Sequence, residues 1–144
     1  MFRANNQRRR GVSTGEIALV LPILLMLSFG VVDYGDYLYL KNTFQAAALA
    51  GARAAVPYAA TNSNVTGTNG IVTKMMTAAG FSSSQYTVTL SPSDISQLST
   101  GTPITVTVAA NWSAVGTHVL STPFGGLSGG KQISSTAVMQ KESN

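Results

Sequence analysis

The chain has 144 residues with no cysteine and one histidine, which excludes a disulfide framework, a thiolate metal site and any histidine cluster. Its formal charge of +4 is unevenly spread: residues 1–10 hold four arginines and no acid, while the remainder holds five bases and five acids and nets zero. The basic excess is therefore a topogenic tail beside an apolar segment, not a nucleic-acid surface, and the length suits one small domain plus an anchor.

Residues 1–11 read as a disordered basic leader carrying Arg3, Arg8, Arg9 and Arg10. Residues 17–32 then run 16 positions without a charge. As a helix they rise about 24 Å, a little short of the ~30 Å hydrocarbon core. Residues 12–15 are also uncharged, and Tyr34, Tyr37 and Tyr39 supply an interfacial aromatic belt at the far end. The segment can therefore span a bilayer, with the arginines keeping its N-terminus cytoplasmic. Glu16 stands at its threshold, where an ionisable group is costly unless paired. Ser13-Thr14-Gly15-Glu16 also fits a capping box, with Ser13 as cap and Glu16 reaching back. Pro22 falls inside the span and removes the hydrogen bond to the carbonyl of Ala18, a point where the helix can kink. A removable signal peptide is the rival, but its small-residue cleavage site should follow the apolar run closely. Here Asp33-Tyr34-Gly35-Asp36-Tyr37 follows instead.

The helix is expected to continue to about residue 56. Leu40, Phe44, Ala47, Ala48, Gly51 and Ala55 recur at spacings of three and four and mark one face. Eight of the eleven residues from 46 to 56 are Ala or Gly. Either a neighbouring chain approaches closely there, or the face packs on the protein's own domain. Pro57 ends the pattern. Residues 61–70 form a polar turn cluster, and residues 71–79 a short helix with Met75, Met76 and Ala79 on its apolar side and Gly80 as its stop.

Three strand signals follow. Tyr86, Val88 and Leu90 alternate with threonines; Ile104, Val106 and Val108 do the same, running on to Trp112; residues 133–139 alternate less cleanly. The connecting loops, 91–101 and 116–130, are rich in Ser, Pro and Gly. The expected fold class is α+β: a long N-terminal helix, transmembrane in its first half, a short second helix and a small three-stranded antiparallel sheet covering the helix's distal half. The expected division is a leader over 1–11, the transmembrane and extended helix over 12–56, and a small α+β domain outside the membrane over 57–144.

Sites of chemistry are sparse. Residues 125–131 formally satisfy G-x-x-x-x-G-K, but the next residue is Gln132, not Ser or Thr, and a strand follows where a phosphate loop needs a helix. His118 has no histidine partner. Asn64-Val65-Thr66 and Asn111-Trp112-Ser113 fit a glycosylation signal short enough to arise by chance. No catalytic residue, metal site or cofactor is expected, and the chain does not read as an enzyme.

One stretch is more specific. Basic residues lead to Gly11, then Val12, with Glu16 fifth after the glycine. This resembles the prepilin processing site of the type IV pilin superfamily. The continuation through Ala18-Leu19-Val20-Leu21-Pro22, Asp33-Tyr34-Gly35 and Gly51-Ala52-Arg53 resembles the TadE-like pseudopilins of tight-adherence (Flp-type) pili. That resemblance covers roughly residues 8–56 and implies a pilin-like minor subunit, held in the bacterial inner membrane and cut between Gly11 and Val12. It implies that Glu16 neutralises the new amine of a neighbouring subunit. Its implied partners are a prepilin peptidase, the major Flp-type pilin, other pseudopilins, the inner-membrane assembly platform and membrane lipid, with no nucleic acid. The alternative is a permanently anchored single-span protein whose outer domain binds a ligand.

Overall fold

A computed structural model describes residues 7–116 and 130–142, with side chains from Thr14 onward. The first element, α1 (Gln7–Ala55), is one helix of 49 residues that continues through Pro22. It begins before Gly11, so the second half of the basic leader is helical and Glu16 lies more than two turns inside the element. It stops at Ala55 because Pro57 disfavours helical geometry at Val56.

Two short helices follow. The first, α2 (Asn62–Thr66), falls where the polar composition suggested only a turn. Its start is closed locally, with Asn64 Oδ1 accepting from the Thr61 N–H at 3.0 Å. Its single apolar residue, Val65, is fully buried. The next, α3 (Ile71–Ala78), buries Val72 and Met76, and Gly80 at φ +90° supplies the left-handed residue that ends it.

The sheet has the order β1-β2-β3, all antiparallel, from β1 (Thr87–Ser91), β2 (Pro103–Asn111) and β3 (Gln132–Gln140). Thr87 pairs with Ala109 and Ser91 with Thr105; Pro103 pairs with Gln140 and Asn111 with Gln132. Ile104, Val106, Val108 and Ala110 point inward from β2 and are buried. Alternation also holds in β3: Ile133 and Ser135 are buried, Ala137 and Met139 half-buried, and Val138 faces solvent. The residues that blur the sequence pattern there are one outward valine and its two inward neighbours.

The strand signal that ran to Trp112 ends one residue earlier, at Asn111. Trp112 opens a single turn, α4 (Trp112–Val115). Its N–H still bonds to the Lys131 carbonyl (2.7 Å), but the Gly116 N–H then bonds back to the Trp112 carbonyl (2.9 Å). A Cβ on Gly116 would meet the indole Cε2 at 2.6 Å, so the ring lies directly over this glycine.

The core forms around the distal half of α1. Leu40, Phe44, Ala47, Ala48, Ala52 and Ala55 are buried against β2, β3, α2 and α3. Phe44 meets Phe81 edge-to-face at 6.0 Å. A Cβ on Gly51 would stand 2.6 Å from Val72 Cγ2, 3.2 Å from Val106 Cγ1 and 3.3 Å from Val65 Cγ1. The alanine-rich face therefore packs on the protein's own domain, and its small residues let strand and helices close on α1 together. Burying Phe44 and Leu40 alone stabilises the fold by about 1.5–3 kcal/mol each.

The far end is tied to the helix terminus by Lys141. It is 2% exposed, and its Nζ donates to the Ile95 carbonyl (3.0 Å) and to that of Ala55 (3.5 Å), in the last turn of α1. The Glu142 N–H bonds to the Val56 carbonyl at 3.0 Å. Asn62 holds the loop between β1 and β2, donating to the Ser93 carbonyl (2.7 Å) and accepting from the Ile95 N–H (3.1 Å). In the same loop the exposed Asp94 carboxylate accepts from the Ser96 hydroxyl and amide, which hold it below its ordinary pKa.

Candidate functional site

The residues singled out by sequence all lie on the proximal half of α1. Gly11, Val12 and the arginines Arg8, Arg9 and Arg10 are within its helical backbone; their side chains lie outside the described set. Glu16 is exposed. Every residue from 14 to 28 is exposed, including Ile17, Leu19, Leu21, Leu24 and Leu27. A contiguous apolar surface of this length is not stable in water and must be covered by lipid or by other chains. Among the described residues, α1 is the one helix long and apolar enough to cross a membrane.

Ser28 Oγ donates to the Leu24 carbonyl at 2.8 Å, the back-bond that lets a hydroxyl sit on a helix in a low-dielectric setting. Pro22 leaves one carbonyl of the ladder without its helical donor.

The distal end of the apolar run is built from two parts of the chain. Tyr34 and Tyr37 stack at 6.4 Å between ring centroids. Trp112, from α4, packs on Tyr37 at 6.2 Å with the rings tilted by 54°. Tyr39 is exposed on another side of the helix. The tyrosine belt expected from sequence is thus joined by a tryptophan 75 positions further along, which the periodicity of α1 could not disclose.

Contacts at four positions of the helix align the domain along it. Trp112 meets Tyr37; Lys41 Nζ donates to the Ser134 carbonyl at 2.5 Å; Val106 and Val72 meet Gly51; and Lys141 reaches Ala55. So β2 runs back toward the apolar segment while β3 runs away from it. The end of the domain nearest the apolar segment is then formed by the end of β2, α4 and the start of β3.

Other candidates recede. Lys131 leads into β3 and not into a helix, which is the arrangement that a phosphate loop does not have. His118 and residues 125–129 of the glycine-rich loop lie outside the described residues. Among the described residues no group of three or more His, Cys, Asp or Glu is placed to hold a metal.

Fold and helix define a class: a small α+β domain carried on one apolar, membrane-length helix. More particularly, residues 11–53 match the family model of the TadE-like proteins, so the chain is similar to that family over its N-terminal helix. The match begins at Gly11, includes Glu16 and the whole apolar run, and ends at Arg53 in the last turn of α1. No curated protein and no solved structure matches the chain.

Proposed function

We propose that this chain is a minor pseudopilin of a tight-adherence type IV pilus system. It is anchored in the bacterial inner membrane with its domain periplasmic, cut by a prepilin peptidase after Gly11, and needed for pilus assembly and adhesion. The carrying observation is that the TadE-like match covers residues 11–53, the stretch holding Gly11, Glu16 and the exposed apolar helix. The fully exposed proximal helix supports the reading, because such a surface suits successive burial in lipid and then among other pilin helices.

The sequence of events follows from the residues. Arg8, Arg9 and Arg10 hold the leader in the cytoplasm. The peptide bond after Gly11 lies in helical backbone, so the peptidase must unwind it locally. Gly11 and Gly15 each weaken the helix by about 1 kcal/mol relative to Ala, which eases that opening. Cleavage creates an amine at Val12. Val12 and Glu16 are four residues apart and share a helix face, so the carboxylate can serve its own amine until a neighbour's replaces it. In lipid an unpaired charge is strongly destabilising. Exchanging one amine for another on docking would fix the axial register of the incoming subunit. The missing hydrogen bond at Pro22 gives the helix a point at which to bend during extraction. The peptidase, the major Flp-type pilin, other pseudopilins and the assembly platform are the partners in this scheme, with membrane lipid as the resting environment.

Mass spectrometry of the membrane-extracted protein tests the reading. A mature chain beginning at Val12 is expected. A chain still beginning at Met1 in piliated cells would favour the permanently anchored single-span protein instead.

A further inference from the structure

The continuous helix sets how close the domain stands to the bilayer. Residues 12–32 are uncharged apart from Glu16 and rise about 31 Å, enough to fill the ~30 Å hydrocarbon core. Tyr37 lies five residues beyond Val32, about 7.5 Å further along the axis. The headgroup layer is about 5–8 Å deep on each side. Leu40, the first buried residue of the domain core, comes only three residues after Tyr37. No stalk separates domain from membrane, and α1 is helical throughout, so the domain is held at that height.

The side chains at this end suit that level. Trp112 is half-buried, lying over Gly116 and against Tyr37, which is itself stacked with the exposed Tyr34. Lys131, whose carbonyl receives the Trp112 N–H, is exposed beside it. Asn111, Ser113 and Gln132 are exposed polar neighbours, and Asp33 and Asp36 are half-buried on the helix. Aromatic rings with a polar edge next to a cation are favoured where acyl chains meet headgroups.

Resting on the single-span reading of α1, we infer that the membrane-side end of the domain sits in the lipid headgroup layer, with Trp112 as its interfacial anchor. The occupant of this surface is lipid, because the aromatic cluster is continuous with the segment that crosses the bilayer. Trp112 fixes the tilt of the domain about the helix: moving it out of the layer would break its packing on Tyr37 or bend α1.

Trp112 is the only tryptophan, so the intact protein reports on itself. The full chain is reconstituted in phosphatidylcholine vesicles, and its emission is quenched by lipids spin-labelled at the headgroup, by lipids labelled deep in the acyl chain, or by aqueous acrylamide. The inference expects several-fold stronger quenching by the headgroup label than by the deep one, with weak acrylamide quenching. Strong acrylamide quenching with no lipid effect would place Trp112 in water and overturn it. Protection from every quencher would mean a protein cover, such as a second subunit, and would overturn it as well. A second probe, Leu24→Trp in a Trp112→Phe chain, should be quenched most by the deep label. If it is not, the spanning reading itself fails and the inference goes with it. If it is, while Trp112 stays insensitive to lipid, only the seating of the domain is wrong.

Discussion

A carboxylate at the edge of the hydrocarbon core needs either a backbone donor or a cation, and Glu16 has been offered both. The backbone offer, a capping box with Ser13, requires the helix to begin there. In the intact chain α1 begins at Gln7, so such a box could close only once the leader is gone. Two substitutions separate the roles in the mature subunit. If Glu16 pairs with a neighbour's amine, Glu16→Ala is still processed and still in the membrane, yet gives no pili, while Ser13→Ala assembles normally. If it is a cap, both changes cost about 1 kcal/mol of helix stability and harm piliation equally. Counting pili at matched membrane levels distinguishes them. A residue of another kind is Lys141. Its burial is invisible in a sequence where it sits near the C-terminus between Gln140 and Glu142, and only the approach of Ala55 and Ile95 explains why it lies in the core. Ser135 carries the opposite lesson: it takes an inward strand position, and its hydroxyl is buried without a hydrogen-bond partner among the described residues.

Within α1, two glycines identical in sequence terms have different roles. A Cβ at Gly51 would enter the space of Val72, whereas Gly35 has nothing within 4 Å. Gly51→Val should therefore destabilise the domain by about 1–3 kcal/mol through overpacking. Gly35→Ala should be neutral or stabilise by up to about 1 kcal/mol. Urea unfolding of the full chain in detergent micelles, followed by far-ultraviolet circular dichroism, reads both. An unchanged midpoint for Gly51→Val would mean that the alanine-rich face does not pack on its own domain in solution. At this scale the strands were readable, since alternation survives even in β3 once Val138 is turned outward. The short α2 was not, because one buried valine makes no period, and its start depends on an Asn64 side-chain bond that resembles any polar turn in sequence.

For the molecule as a whole, the charge asymmetry predicts an orientation with the N-terminus cytoplasmic. Four arginines precede the apolar run, and only Lys41 and Arg53 follow within about twenty residues. Alkaline phosphatase fused after Asn144 should be active in the periplasm, while the same enzyme fused at the N-terminus should be inactive. The reverse pair of activities would invert the topology and remove Gly11 from the reach of a cytoplasmic-face peptidase. With the expected orientation, the continuity of α1 makes anchor and domain one body, so a load applied to the domain is passed to the spanning segment.

What the amino-acid sequence determined by itself was local: the uncharged run, the basic tail, the Gly11–Glu16 spacing, the small-residue face and the alternating strands. Each is written in residues within a few turns of one another, where helical or strand period turns composition into shape. The tertiary structure alone decided which surface meets the alanine-rich face, that Lys141 closes the end of α1, and that Trp112 joins Tyr37 beside the apolar segment. Those outcomes pair residues from 14 to 86 positions apart. Which of many apolar or polar groups becomes the partner depends on the antiparallel course of β2 and β3 along α1, and no spacing in the chain records it.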